Sequence, residues 1–122
     1  MDLHVSIQKK APNGFTVSLE GSLDTYTHVL LEDKIDEILN EATDTITLDM
    51  EKLEYISSAG IRVVLKTQIA LEKNNSDLLI VNMKPKIEKV FDIINALPMM
   101  KVFSIIKELD EYIDNIQKKV ID

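Results

Sequence analysis

The sequence predicts an α/β fold, a mixed and mostly parallel sheet opened by an antiparallel hairpin and packed by helices, in the order ββαβαβα(β)α. Three observations carry this. Two stretches near the N-terminus alternate apolar and polar residues and are joined by turn-forming residues. Beyond them, strand patterns and helix-spaced stripes take turns along the chain, which calls for crossover connections and hence parallel pairing. Leu78-Leu-Ile-Val81 is a short unbroken apolar run, the pattern of a strand buried on both faces.

Leu3, Val5 and Ile7 alternate with His4 and Ser6 as a first strand, and Phe15, Val17 and Leu19 alternate as a second. Ala11-Pro-Asn-Gly14 between them has hairpin chemistry, because Asn and Gly accept positive φ. Gly21-Ser-Leu-Asp24 breaks the strand pattern, and Asp24, Thr25 or Thr27 can cap the first helix. Leu31, Ile35, Ile38 and Ala42 recur at helical spacing, giving that helix an amphipathic stripe to about Glu41. Its outer face carries Glu32, Asp33, Asp36, Glu37 and Glu41, and reads as a solvated surface.

The organising stretch runs from Ile46 to Leu65. Ile46, Leu48 and Met50 face one way in a strand, and Ile61, Val64 and Leu65 are spaced for one face of a helix. Between them a turn carries only short residues, Ser57, Ser58, Ala59 and Gly60. Small side chains admit close approach of another backbone or protein. A serine at a helix start can accept a bond from a free N–H, and the positive helix end tolerates added negative charge.

Asn74-Asn-Ser-Asp77 then stops the second helix. Pro85 suits the first turn of a third helix, whose inner stripe is Ile87, Val90, Phe91 and Ile94. Leu97-Pro98 ends it, and Met99 to Phe103 is expected as a short edge strand. Ser104 is expected to cap a last helix with the stripe Leu109, Tyr112, Ile113, Ile116 and Val120. No internal repeat, linker or low-complexity segment interrupts residues 1–122, which read as one domain.

Composition narrows the function classes. Apolar residues make up 45% and charged residues 29%, as in an ordinary globular chain. The formal charge is −7 and thirteen of the fourteen basic residues are scattered lysines, which argues against nucleic acid and favours a protein partner. The absence of cysteine excludes disulfides and thiol chemistry and, with no leader-like N-terminus and no long apolar run, points to a cytoplasmic chain without membrane attachment. Catalysis finds no constellation. The histidines, His4 and His28, sit in no motif, Gly-x-Ser-x-Gly is absent, and Gly14, Gly21 and Gly60 are too far apart to cradle a phosphate. No metal-ligand spacing occurs, so no metal and no cofactor is expected.

Taken alone, Ser57 or Ser58 reads as a helix cap. Their context adds a resemblance. Tyr55-Ile-Ser-Ser-Ala-Gly-Ile-Arg-Val-Val-Leu65, after a strand with Leu48-Asp-Met50, resembles the STAS domain and, more narrowly, the small stand-alone anti-sigma factor antagonists of bacteria. Gly21-Ser-Leu-Asp24 sits where that family has its Gly-x-Leu-Asp turn, and Leu97 to Phe103 resembles its hydrophobic segment before the final helix.

The resemblance implies a STAS-like fold and a partner switch. An anti-sigma factor with serine kinase activity phosphorylates a serine in the turn, a metal-dependent serine phosphatase reverses this, and the unphosphorylated form binds the anti-sigma factor and releases the sigma factor. Aligned through Gly60, the phosphoacceptor falls on Ser58, with Ser57 as the alternative in the place where many members carry an acidic residue. The implied partner surface is Asp24, Thr25, Ser57, Ser58, Ala59, Gly60 and Arg62, with the Ser58 hydroxyl expected to be exposed and Tyr26 at the rim. The protein is then a kinase substrate and not an enzyme. A second reading keeps the fold but makes the domain a scaffold or ligand-sensing module whose serine is never phosphorylated.

Overall fold

The computed structural model describes residues 2–10, 12–39, 42–96 and 106–119. The expected strand at Met99–Phe103 and the cap at Ser104 lie outside these residues. Strands β1 (Leu3–Lys10) and β2 (Gly14–Leu23) form the antiparallel hairpin, in register from Leu3 opposite Gly21 to Lys10 opposite Gly14. Strand β3 (Thr45–Ile56) runs parallel to β2, and β4 (Asp77–Val81) parallel to β3, giving the order β1-β2-β3-β4. Helices α1 (His28–Leu39), α2 (Ser58–Lys73), α3 (Pro85–Ala96) and α4 (Ile106–Lys119) complete the described elements.

The core lies between the helices and one sheet face. Val17, Leu19, Ile46, Leu48 and Met50 of the strands are sealed, and they join one apolar cluster with Leu31 and Ile35 of α1, Ile61, Val64 and Leu71 of α2, Ile87 and Val90 of α3, and Ile113 of α4. Each such side chain contributes about 1.5–3 kcal/mol through burial. Where the side chains are described, the periodic stripes expected of the helices are what faces the sheet, with two departures; the expected stripe positions Ile94, Leu109, Tyr112 and Val120 lie outside the described side chains. Leu65 is left 37% exposed while Val63 and Thr67 turn inward, and Ala42 lies exposed beyond the end of α1.

Three expectations change for physical reasons. First, β2 does not end at Gly21. That glycine adopts φ +110, and a Cβ there would collide with the Asp2 carbonyl, so glycine lets the strand continue beside the N-terminal residues. Second, β3 extends to Ile56 because it carries two extra residues. Ser18 pairs with Asp49 but Glu20 with Lys52, and Gly21 pairs with Leu53 but Ser22 with Tyr55. Each bulge shifts the inward side by one, so the buried residues go from Ile46, Leu48 and Met50 to Leu53 and Ile56.

The third departure is β4. It pairs only with β3 among the described strands, and only its inner face is covered: Leu78 and Ile80 are half-buried. Leu79 is 50% and Val81 36% exposed, beside Thr47 and Asp49 on the sheet's outer face. The unbroken apolar run marks an edge strand here, not one buried on both sides.

Candidate functional site

The two turns that follow β2 and β3 lie side by side, because these parallel strands end together with Leu23 opposite Ile56. The Ser57 N–H donates to the Leu23 carbonyl at 2.9 Å and ties one turn to the other. Such a crevice at the carboxyl ends of parallel strands is where open α/β sheets place their binding sites.

The first turn is built by a reciprocal cap. Asp24 Oδ1 accepts from the Tyr26 N–H at 2.9 Å and the Thr27 N–H at 3.1 Å. Thr27 Oγ1 accepts the Asp24 N–H at 2.9 Å and donates to the Ser22 carbonyl at 2.7 Å. Of the three capping candidates, Asp24 and Thr27 thus act together, while Thr25 stays exposed. The His28 Nδ1 lies 3.2 Å from the Asp24 carbonyl and 3.0 Å from that of Thr25, which places this histidine in the turn's own framework. Tyr26 is 88% exposed at the tip.

The second turn opens α2. Ser57 has the extended backbone of an N-cap, φ −104 and ψ 177, and its carbonyl accepts the first helical bond from the Ile61 N–H at 3.0 Å. Its side chain makes no cap bond. Ser57 Oγ is buried and has no hydrogen-bond partner among the described residues. The expected serine cap is present in backbone form alone.

Ser58 is the first residue of α2, and it is 6% exposed. The expectation of an exposed hydroxyl is therefore corrected. Gly60 is also buried, and its smallness serves the protein itself: a Cβ there would stand 2.7 Å from Leu23 Cγ, 2.8 Å from the Leu23 carbonyl oxygen and 3.0 Å from Ile56 Cγ1. Glycine at this position lets the first turn of α2 press onto the ends of β2 and β3, and that pressure is what draws the serines inward. The parts of the expected surface that face outward are Thr25 and Arg62, both exposed, with Asp24 and Ala59 half-buried.

Two features were not foreseen. Gln117 of α4, 7% exposed, accepts the Ile56 N–H at 2.9 Å through Oε1 and donates from Nε2 to the Ile56 carbonyl at 2.7 Å. Next to it the Asp114 carboxylate accepts from Lys118 at 2.9 Å and from the Tyr55 hydroxyl, and these bonds hold its pKa below the usual carboxylate value despite partial desolvation. The last helix is thus fastened to the two residues that precede the serine pair. The second feature is apolar: Val29 and Leu30 of α1 are 45% and 48% exposed, beyond Tyr26. Their position off the buried stripe was the only signal in the sequence.

Elsewhere, Lys66 of α2 donates to Glu32 of α1 at 2.8 Å, lowering the glutamate pKa and raising that of the lysine. A hollow of about 260 Å³ on the outer sheet face is lined by His4, Ser6, Ser18, Glu20 and Asp49, none of them a residue of the serine turn. Among the described residues no cluster of three or more His, Cys, Asp or Glu could hold a metal, and no helix is long and apolar enough to cross a membrane.

Comparison with known proteins agrees with this architecture. The chain is 31% identical over 84 residues to BtrV of Bordetella bronchiseptica, which is named as an anti-sigma factor antagonist, covering 69% of this chain and 72% of that one. It is 28% identical over 88 residues to the anti-sigma-B factor antagonist of Staphylococcus aureus, covering 72% and 82%. The unphosphorylated structure of the anti-sigma factor antagonist SpoIIAA superposes with a TM-score of 0.65 at 24% identity, over 73% of this chain and 82% of the other, and the phosphorylated Bacillus protein gives the same score. The STAS domain model matches residues 6–109, and with the hairpin, the parallel strands and the serine turn in place, the chain belongs to the STAS domain family.

Proposed function

We propose that this protein is an anti-sigma factor antagonist. Unphosphorylated, it binds an anti-sigma factor that has serine kinase activity and so frees a sigma factor; phosphorylation of Ser58 blocks that binding, and a serine phosphatase restores it. The protein acts by binding and is a substrate, not an enzyme. The observation that carries this reading is the joined pair of turns: the Ser57 N–H on the Leu23 carbonyl brings Asp24, Thr25 and Tyr26 beside a serine at the start of a 16-residue helix. The names of its relatives and the two forms of SpoIIAA support it.

The physics of the switch is local. A phosphate adds about −1.5 to −2 charges at neutral pH. At the N-terminus of α2 the helix dipole accommodates that charge, so the domain keeps its fold and the effect falls on the partner. Arg62, exposed one turn into α2, is a candidate to meet the phosphate or an acidic partner group. At 6% exposure, Ser58 reaches a kinase only when the first turn of α2 opens locally.

Incubation with the cognate anti-sigma kinase and ATP, followed by mass spectrometry, is expected to place a single phosphate on Ser58. Ser58→Ala should bind the anti-sigma factor and take up no phosphate, whereas Ser58→Asp should bind weakly. The burial of Ser58 is also the observation that favours a second reading, a STAS scaffold or ligand-sensing module with an unmodified serine. No phosphate on Ser58, together with undiminished binding by Ser58→Asp, would establish that reading and remove the first.

A further inference from the structure

Helices α1 and α2 lie side by side, joined where Lys66 donates to Glu32 at 2.8 Å. Each leads from one parallel strand to the next, so the two run in the same direction. Their outward faces carry Val29 and Leu30 on α1 and Leu65 and Ile69 on α2, four of the seven exposed large apolar side chains among the described residues. The two faces are opposite in charge. On α1 the exposed Asp33, Asp36 and Glu37 outnumber Lys34, whereas on α2 the exposed Arg62, Lys66 and Lys73 outnumber Glu72. Lys66, Ile69 and Lys73 also line a groove of about 430 Å³. Asp33, Asp36, Glu37 and Lys73 make no ion pair with a described residue.

We infer that this two-helix face is an interface between two copies of the chain, in which the acidic α1 of each copy lies over the basic α2 of the other. A second copy is the fitting occupant because both halves of the contact stand next to each other on one chain, the self-complementarity that an isologous interface needs. The register agrees as well. A two-fold axis running along and between the helices exchanges α1 with α2 and shifts nothing along their length. Glu32 stands level with Lys66, so Asp33, Asp36 and Glu37 of one copy come level with the stretch from Lys66 to Lys73 of the other. By the same offset Val29 and Leu30 come level with the turn that ends at Leu65. The net charge of −7 on each copy opposes approach at long range, so the contact depends on these local pairs. The inference goes beyond the proposed function and does not depend on Ser58.

Sedimentation equilibrium of the full chain tests it. The unsubstituted protein is expected to be chiefly dimer by about 1 mM, the scale of a weak specific contact. Two charge-reversed chains are then compared. One carries Asp33→Lys, Asp36→Lys and Glu37→Lys, and the other carries Lys66→Glu and Lys73→Glu. Each by itself sets like charges against each other and should weaken self-association about tenfold or more. Mixed in equal amounts, the two restore opposite charges in both halves of the contact and should form a mixed dimer. Ile69→Glu, at a side chain 54% exposed, should also disperse the dimer while the circular dichroism stays unchanged, which separates loss of the contact from loss of the fold.

An unsubstituted chain that stays monomeric at about 1 mM would overturn the inference. So would a dimer that survives both charge reversals and Ile69→Glu, or folded charge-reversed chains that do not pair when mixed. Failure of a kinase to modify Ser58 would not alter these results.

Discussion

Gln117 is paired through its side-chain amide with both backbone groups of Ile56, accepting the N–H at 2.9 Å and donating to the carbonyl at 2.7 Å. The need for it comes from the sheet. Pairing between β3 and β4 stops at Asp49 opposite Val81, so the later residues of β3 have no strand on that side among those described. A buried peptide group without partners is costly, and the amide, which mirrors a peptide, completes the edge. The contact spans 61 residues of sequence and ends one residue before Ser57.

Gln117→Ala should therefore destabilise the fold by about 2–6 kcal/mol, since two buried backbone groups each lose a bond worth about 1–3 kcal/mol when left unsatisfied. Urea unfolding measures it. Gln117→Glu should do no better, because a carboxylate can serve the Ile56 N–H but faces the carbonyl oxygen with a second acceptor. A change below about 0.5 kcal/mol in both variants would show that water replaces the amide at no cost.

Gly60→Ala reverses the usual rule. In a helix that substitution normally gains about 1 kcal/mol. Here the new methyl would meet the Leu23 carbonyl oxygen at 2.8 Å and Leu23 Cγ at 2.7 Å, and a backbone oxygen cannot swing aside. The expected outcome is a loss of about 1–3 kcal/mol by overpacking, read as a lower denaturation midpoint. A stabilised variant would contradict the close approach of α2 to β2.

Ser57→Ala is expected to leave the stability of the unmodified protein within about 0.5 kcal/mol. An N-cap serine ordinarily contributes about 1 kcal/mol through its bond to a first-turn N–H. That bond is missing here and the hydroxyl is buried without a partner, so its removal forfeits little. Loss of a full N-cap contribution in thermal or urea unfolding would mean that the hydroxyl caps α2 in solution.

The pH dependence of Tyr55→Phe is set by Asp114. The Lys118 and Tyr55 bonds depress the carboxyl pKa in the folded state, so its contribution is present above the ordinary carboxylate value of about 4 and is lost as pH falls through the lower folded value. Tyr55→Phe should cost below about 1 kcal/mol at neutral pH, because the carboxylate is partly solvated. The gap between variant and parent should shrink as pH falls below the ordinary carboxylate range and through the depressed folded value. A gap that persists undiminished to the acid limit of the folded state would assign the effect to packing of the ring instead.

Much of the fold was legible because local patterns and packing agree. The hairpin, the order of strands and helices and the inner stripes at Leu31, Ile35, Ile87 and Val90 all arise from periodicity alone. What misled was non-local. The bulges of β3 change its inward spacing from two to three, and Gly21 continues a strand only because the Asp2 carbonyl lies where a side chain would point. The site was legible as a location but not as a surface. Four small residues read as an opening for a partner, yet Gly60 is small for the sake of Leu23, and that contact draws the turn inward. Gln117 offered no local pattern, since its partner is a backbone group on a distant strand.

The central claim concerns how one group on Ser58 changes recognition, and calorimetric titration of the cognate anti-sigma factor into the protein, with and without phosphoserine installed at position 58, tests it most directly. The account predicts tight binding by the unmodified chain and a loss of about five- to hundredfold in the phosphorylated one, equivalent to a coupling of about 1–3 kcal/mol. Equal affinity of the two forms for the same anti-sigma factor would contradict it.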